Sequence, residues 1–290
     1  MTAAFPQFSQ PAPLPGFDWS RPLVMGIVNV TDDSFSGDGL KGDASAAIAR
    51  ARAMAAQGAD IIDLGAESTR PGAAPVSPEQ EIARLLPVIE GLRDLRIPLS
   101  VDTRHAATMR AAATAGARLI NDISALDGAG SLQAAAESGL PVVLMHMQGE
   151  PGSMQQAPHY ADVVAEVYDY LRHRIDACEA AGIPRSKIIL DPGIGFGKTP
   201  AHNLSLLRAT AKFRELGCAL LVGVSRKSFI GAVSGETDPA RRLPGSLAAG
   251  LWALSQGANI LRVHDVPETV QAVRIWRGIG EAPVTDRNVW

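Results

Sequence analysis

Aromatic residues are scarce in this chain of 290 residues, and long apolar runs are lacking. Aromatic residues account for 5% of the chain and hydrophobic residues for 46%, so the core has to be built from Ala, Val, Ile and Leu. Such an aliphatic core is typical of an α/β protein whose parallel strands are buried on both faces. No apolar run approaches the roughly 20 residues that a bilayer crossing needs. Residues 1–20 also lack the basic and apolar regions of a secretory signal, so we expect no membrane partner.

The chain has little cysteine and little net charge. Cys178 and Cys218 are the only cysteines, and their wide separation argues against a disulfide framework or a thiolate metal site. This usage favours a reducing, cytoplasmic location. The formal net charge of −3 provides no general attraction for nucleic acid, so we expect no nucleic-acid partner. A G-x-S-x-G elbow and a His/Cys cluster with zinc spacing are also lacking, which argues against those two kinds of hydrolytic site.

Short apolar strands alternate with Ala-rich helical segments along the chain. Eight strands are predicted, each followed by a helix, at Leu23–Val30, Ile61–Ala66, Pro98–Thr103, Leu119–Ser124, Pro141–His146, Ile188–Pro192, Ala219–Ser225 and Ile260–Val266. Eight such units in this length predict an α/β fold, a single (β/α)8 TIM barrel with its site at the C-terminal ends of the strands. An open doubly wound sheet is the alternative. We expect an extended lead-in over residues 1–20, the barrel over 21–282 and a tail over 283–290.

Polar side chains follow most of these strands at the point where the strand ends. They are Asn29, Asp102, Asn121, His146, Asp191, Lys227, Arg262 and His264. Taken singly, an Asp or Asn in this place caps the next helix or forms a turn, and His146 can be a satisfied core histidine. Taken together on one rim of a barrel, they would be buried polar groups without a purpose unless they bind a ligand.

The chemistry of these residues separates into two groups. Asp102, Asn121 and Asp191 offer carboxylate and amide groups, which suit an uncharged heterocycle with N–H donors and carbonyl acceptors. The second group is cationic and suits an anion such as phosphate; its members are Arg70, Lys227, Arg262 and His264. Asn29 offers one neutral oxygen, which suits Mg²⁺ next to a polyphosphate because Mg²⁺ keeps most of its waters.

The segment DPGIGFGK (Asp191–Lys198) follows the sixth strand with three alternate glycines. Glycines at this spacing let the backbone turn sharply and approach a ligand closely. The spacing fits neither a Walker A loop nor the Rossmann pattern. A plain strand-to-helix turn is the alternative, and Lys198 has no assigned role beyond the polar end of a helix turn.

Several segments, in order along the chain, resemble dihydropteroate synthases, a family of pterin-binding enzymes. They are NVTDDSFS (Asn29–Ser36), ESTRPG (Glu67–Gly72), SVDTR (Ser100–Arg104), NDIS (Asn121–Ser124), DPGIGFGK (Asp191–Lys198), SRKSFIG (Ser225–Gly231) and RVHDV (Arg262–Val266). The resemblance implies a transferase of folate synthesis that joins 6-hydroxymethyl-7,8-dihydropterin diphosphate to 4-aminobenzoate. It also implies Mg²⁺ as cofactor, sulfonamides as inhibitors and a homodimer.

The resemblance assigns roles to individual residues. It places the pterin at Asp102, Asn121, Met145, Asp191, Gly223 and Lys227. It places the diphosphate at Thr69, Arg70, Arg262 and His264, with Mg²⁺ on Asn29. It places 4-aminobenzoate at Thr69, Pro71, Phe196, Ser225 and Lys227. The residues expected to act in catalysis are Arg70, Lys227, Arg262, His264 and Asp38.

One departure from the family pattern lies in the first loop. The family commonly has SFSDGG, whereas this chain has Ser34-Phe35-Ser36-Gly37-Asp38-Gly39, so the acidic residue is displaced by one position. A catalytically silent pterin-binding paralogue is therefore an alternative. A pterin-dependent methyltransferase domain is another, but it has no use for the diphosphate-binding cations.

Overall fold

The structure is a computed structural model that describes residues 10–30, 44–67 and 76–282. Its parallel strands close into a barrel in the order β1-β2-β3-β4-β5-β6-β7-β8, which confirms the predicted fold. Closure is visible at Met25, which pairs with Ile61 on one side and with Arg262 on the other. Among the described residues, no helix has the length and apolar character needed to cross a membrane.

The strands are β1 (Leu23–Asn29), β2 (Ile61–Gly65), β3 (Leu99–Asp102), β4 (Leu119–Asp122), β5 (Val142–Met145), β6 (Ile188–Asp191), β7 (Ala219–Val222) and β8 (Ile260–Val263). The described helices are α1 (Ala44–Ala56), α2 (Pro78–Gly91), α3 (Ala106–Ala115), α4 (Ser131–Ser138), α5 (Val163–Ala180), α6 (Pro200–Arg208), α7 (Thr210–Phe213), α8 (Ser228–Ser234), α9 (Leu243–Ser255) and α10 (Val266–Glu281).

Most elements begin where the sequence predicts, and local chemistry explains why. Ser77 caps α2 through a reciprocal box with Gln80, and Pro78 occupies the first turn, where a missing N–H does no harm. Pro244 likewise lies in the first turn of α9 and does not disrupt its start. Ser228–Ser234 forms the short helix α8, which the sequence analysis does not predict, because Phe229 and Ile230 become buried there.

The strands have one apolar core on each side, outside and inside the barrel. The larger lies between the strands and the outer helices, and the smaller fills the barrel interior with side chains such as Met25, Ile61 and Leu119. Several members of the smaller core are the first residues of their strands, so it fills the N-terminal end of the barrel. This end is therefore sealed, and any ligand has to enter from the other end.

The described part of the lead-in closes the sealed end of the barrel. Leu14 and Phe17 form an isolated bridge, and both join Trp19 in the interior core. The Trp19 ring stacks on Phe17 at 5.4 Å, and its N–H donates to the Ala12 carbonyl at 3.0 Å. From residue 10 the lead-in is therefore folded and packed against the interior core rather than extended. The predicted domain boundaries stay a prediction.

Candidate active site

A polar layer lies directly above the apolar core inside the barrel. Side chains alternate across a strand, so a residue two positions after a core residue points to the same side. Ile61, Leu119 and Ile260 belong to the interior core. Positions two residues further along the same strands hold Asp63, Asn121 and Arg262. The barrel mouth is therefore charged and polar, because these three residues point into the barrel one layer above the apolar core.

Arg262 lies between two carboxylates. Its Nε donates to Asp63 Oδ2 at 2.6 Å, and its Nη2 donates to Asp102 Oδ2 at 2.7 Å. Asn121 Nδ2 donates to the same Asp63 oxygen at 3.1 Å. Burial raises the pKa of Asp102 to about 7; the attraction of Arg262 opposes this rise, and the charge of Asp63 adds to it. Arg262 was expected with the anion-binding group; it lies beside Asp102 and shares Asp63 with Asn121, and its role in anion binding stays a prediction.

Asp63 is a member of this network that the sequence analysis missed. Its side chain has no solvent exposure, and its Oδ1 has no hydrogen-bond partner among the described residues. A charged residue inside the apolar run Ile61–Gly65 was the available signal. Such a residue requires a partner when it is buried, and the partner here is Arg262.

Asp191 and Lys227 form the opposite side of the mouth. Asp191 Oδ1 accepts the Gly193 N–H at 2.7 Å, which fixes the carboxylate at the strand end. Lys227 Nζ donates to the Ile194 carbonyl and lies 4.6 Å from the centre of the Phe196 ring. Burial raises the pKa of Asp191, with Lys227 opposing, and burial lowers the pKa of Lys227 to about 8. The structure thus brings together Asp191, Lys227 and Phe196, as the resemblance implies.

The alternate glycines of the β6–α6 loop have a steric cause. Gly193, Gly195 and Gly197 all have positive φ, at 69°, 85° and 61°. A Cβ on Gly193 would lie 1.8 Å from the His146 carbonyl oxygen, and one on Gly197 would lie 2.3 Å from the Gln148 carbonyl oxygen. The loop is therefore pressed against the segment that follows β5, and any side chain would push the two apart.

Ser225 and His264 meet across the ends of β7 and β8. Ser225 Oγ accepts the His264 N–H at 3.2 Å and lies 3.0 Å from His264 Nδ1. Between Ser225 and Lys227, Arg226 adopts a positive φ of 58° and is held by a two-point ion pair with Asp265. Burial, aided by Arg262, lowers the pKa of His264 to about 4, so this imidazole is neutral at neutral pH.

Three further predicted residues lie around the same mouth. Met145 is buried and pairs in register with Asp191. A Cβ on Gly223 would lie 3.8 Å from both the Arg262 Cβ and the Lys227 Nζ, so the missing side chain leaves room between these cations. Asn29 is exposed at the end of β1. The other predicted site residues, Asp38, Thr69, Arg70 and Pro71, lie outside the described residues.

His146 and Lys198 are buried, and their side chains are not exposed at the barrel mouth. His146 is buried and lies edge-on to Tyr170, with ring centres 4.9 Å apart, which agrees with the core alternative. Burial and the charge of Lys198 lower the pKa of His146 to about 3. Lys198 is only 3% exposed, so its interpretation as the polar end of a helix turn is wrong.

The arrangement suits a flat ring with several N–H and carbonyl groups. The mouth holds the carboxylates of Asp102 and Asp191, the amide of Asn121, the planar guanidinium of Arg262 and the ammonium of Lys227. Fold and site together define a TIM-barrel enzyme whose polar mouth suits a polar heterocycle. Consistent with this class, the family model described as pterin binding enzyme matches residues 25–264.

Comparison with known proteins narrows the class. A dihydropteroate synthase of Escherichia coli (strain K12) is 52% identical over 259 residues, covering 89% of this chain and 92% of the relative. A Xanthomonas albilineans dihydropteroate synthase structure with 4-aminobenzoic acid is 49% identical, has a TM-score of 0.87 and covers 91% and 95% of the two chains. A Yersinia pestis dihydropteroate synthase structure with a sulfonamide drug complex is 47% identical, has a TM-score of 0.87 and covers 95% and 100%. The chain therefore belongs to the dihydropteroate synthase family of pterin-binding enzymes.

Proposed function

We propose that the chain catalyses the condensation of 6-hydroxymethyl-7,8-dihydropterin diphosphate with 4-aminobenzoate, giving dihydropteroate and diphosphate for folate synthesis. The observation that carries this proposal is the set of acceptors at one mouth, the buried Asn121 and Asp191 and the half-buried Asp102, together with Lys227. A reduced pterin presents adjacent N–H groups and a ring carbonyl, which these side chains match in number and kind.

The pterin is held by charge-assisted hydrogen bonds. Asp191, fixed by the Gly193 N–H, accepts from the amino group and the neighbouring ring N–H. Asn121 both donates and accepts, and Asp102 accepts a further ring N–H. Lys227 donates to the ring carbonyl, and its lowered pKa of about 8 leaves it mostly charged at neutral pH. Met145 and Gly223 shape the recess around the ring.

The second substrate lies between the loops after β6 and β7. Phe196 provides an apolar wall for the ring of 4-aminobenzoate, and Ser225 and Lys227 provide polar contacts. Thr69 and Pro71 complete this site in the proposal. Sulfonamides, which resemble 4-aminobenzoate in shape and charge, compete for the same place.

The reaction breaks the bond between the methylene carbon and the diphosphate oxygen. The electron-rich pterin ring stabilises the cation that forms on the methylene carbon. Arg70, Arg262 and an N–H of the neutral His264 stabilise charge on the departing diphosphate. Asp38, which lies outside the described residues, would supply a negative charge that favours the cation.

The second step forms the new carbon–nitrogen bond. The neutral amine of 4-aminobenzoate attacks the methylene carbon and then releases one proton to water or to a loop carboxylate, so no strong base is required. Catalysis in this scheme consists mainly of positioning and electrostatic stabilisation.

Mg²⁺ is the proposed cofactor. Asn29 is the last residue of β1, and its exposed amide suits a cation that takes few protein ligands and fills its shell with water and phosphate oxygens. No cluster of His, Cys, Asp and Glu suitable for a metal occurs in the described part of the chain, which fits a single amide ligand. When bound, Mg²⁺ neutralises charge on the diphosphate.

We propose a homodimer that acts in the cytoplasm. Leu204, Val233 and Trp252 are 45%, 62% and 50% exposed, and they lie on α6, α8 and α9, which contact one another. Large exposed apolar side chains on adjacent helices favour a protein interface. Both cysteines are buried free thiols, which suits a reducing compartment.

The test is release of diphosphate by the purified protein. With Mg²⁺ and both substrates, the expected result is equimolar formation of diphosphate and dihydropteroate, and omission of 4-aminobenzoate should abolish both. Asp191→Asn serves as the matched inactive control. Tight pterin binding without diphosphate release would overturn the proposal in favour of a silent pterin-binding protein.

A further inference from the structure

Lys198 carries a buried ammonium group within a cage of acceptors. Its Nζ donates to the Phe196 carbonyl at 2.9 Å and to the His146 carbonyl at 3.3 Å, and it lies 2.9 Å from His146 Nδ1. The charge of Asp191 also attracts this amino group, and the charge of Lys227 repels it. Burial lowers the pKa of Lys198 to about 7, against the attraction of Asp191, so placing a charged amino group here is costly and requires an explanation.

The cage spans two segments that the glycines bring together. One acceptor belongs to the β6–α6 loop, and the other two belong to His146, directly after β5. Where these two segments meet, Gly193 and Gly197 lie so close to the His146 and Gln148 carbonyls that a side chain at either glycine would collide with them. The glycines allow the β6–α6 loop to approach the segment after β5 closely, and the hydrogen bonds of Lys198 hold the two segments together.

The loop held in this way contacts the reacting region at several points. The Phe196 ring faces Lys227 Nζ, the Ile194 carbonyl accepts from the same ammonium, and the Gly193 N–H fixes Asp191. Lys198 is bonded to the backbone of Phe196 itself. A shift of the loop would therefore move the apolar wall and Lys227 together.

We propose that Lys198 is a positioning residue, which holds the β6–α6 loop against the end of β5 and thereby sets the place of Phe196 and Lys227 for the second substrate. This inference rests on the proposed function. Lys198 contacts neither substrate, so its removal should act through the loop. The KM for 4-aminobenzoate should rise by about tenfold, while the KM for the pterin diphosphate, which Asp102 and Asn121 also hold, should change by less than about threefold.

The experiment compares three substitutions in the full-length protein. Lys198→Met keeps the length and apolar stem but removes the charge and the donors, and Lys198→Ala also opens a space. Lys198→Arg keeps the charge in a fork too wide for the cage, so it should not restore the KM. Lys187→Ala is the matched control, because Lys187 Nζ also donates to a backbone carbonyl, that of Gly139 at 2.6 Å, away from the site. The control should have wild-type kinetics.

Chemical rescue separates positioning from general stabilisation. Methylammonium chloride should lower the raised KM of Lys198→Ala, because the small cation can enter the vacated cage and donate to the same acceptors. It should not rescue Lys198→Met, whose stem fills the space. Tetramethylammonium chloride at equal concentration, which has no N–H, should have no effect on either variant.

Hydrogen exchange provides a readout that is independent of activity. Amides of the β6–α6 loop should exchange faster in Lys198→Met than in the wild type, while those of α3 should not change. Faster exchange in a protein whose wild type releases no diphosphate would support the loop-holding role and reject the proposed function. An unchanged KM and unchanged exchange in folded Lys198→Met would overturn the inference, as would loss of the folded state in both Lys198→Met and Lys198→Ala.

Discussion

Arg262 Nε donates a 2.6 Å hydrogen bond to Oδ2 of Asp63, a carboxylate with no solvent exposure. The same guanidinium also binds Asp102, so one positive charge compensates two negative charges at the floor of the site. Asp63 therefore fixes the Arg262 guanidinium beside Asp102 and also accepts from Asn121, a proposed ring-binding side chain. Asp63 therefore acts on the site indirectly, by positioning Arg262 and Asn121.

Asp63→Asn should destabilise the protein by about 2 kcal/mol, because the buried charge-assisted bond to Arg262 Nε becomes a weaker bond to a neutral amide, while Arg262 keeps Asp102 as its charged partner. The free energy of unfolding, measured by urea denaturation, checks this value. Glu137→Gln is the control, since Glu137 pairs with Arg110 at 3.0 Å on the surface and such pairs contribute less than about 1 kcal/mol. Equal losses in the two variants would contradict the role of Asp63.

The fold and the rim residues were predictable because both depend on local pattern. Short apolar runs separated by helices predict the barrel, and the ends of parallel strands must meet at one rim. Asp102, Asn121 and Asp191 are accordingly brought to one mouth. The partner of Arg262 could not be predicted in this way, because Asp63 lies 199 residues away in sequence and only barrel closure makes them neighbours.

Helix α8 was missed for a related reason. Ser228–Ser234 is short, has Lys227 without a capping side-chain bond before it, and contains Gly231. Its helical state depends on burying Phe229 and Ile230 rather than on intrinsic propensity, and that packing is a tertiary effect. Lys198 was misjudged likewise, since its burial arises from the approach of a loop distant in sequence.

Gly193→Ala should damage both stability and activity. The positive φ of 69° costs roughly 1 kcal/mol for alanine, and the added Cβ would collide with the His146 carbonyl oxygen. Gly139→Ala is the matched control, because Gly139 has a similar φ of 63° and open space around it. Thermal unfolding and diphosphate release should both be affected more strongly in Gly193→Ala. A similar loss in the two variants would mean that the loop tolerates a side chain.

His264 should make stability depend on pH. Its folded-state pKa is lowered from 6.5 to about 4, so between these values the unfolded chain binds more protons and stability falls as the pH falls. From about pH 7 to about pH 5, the loss from this residue should be about 2 kcal/mol. Urea denaturation of the wild type and His264→Gln across this range isolates the effect, because the other titrating groups are shared. Parallel curves would show that His264 is not the cause.

The proposed dimer should dissociate when charge is placed in its apolar patch. Leu204→Glu puts a carboxylate among exposed apolar side chains on α6, where dimer formation would have to bury it without a partner. Light scattering after size exclusion should report a monomer. Ile279→Glu, at a residue 69% exposed near the C-terminal end of α10, should leave the mass unchanged. A wild-type monomer, or a dimer in both variants, would exclude this surface.

Asp191→Asn should lower the affinity for the pterin about a hundredfold, because the side-chain amide places a donor opposite the ring N–H groups and loses a charge-assisted bond of about 3 kcal/mol. The Gly193 N–H can still bind the remaining oxygen, so the loop should keep its structure. Calorimetric titration with a dihydropterin that lacks diphosphate measures the ring contacts alone. Asp127→Asn is the control, since Asp127 is a surface carboxylate paired with Arg174 at 3.0 Å, and it should bind as the wild type does. Unchanged affinity in Asp191→Asn would place the ring elsewhere in the mouth.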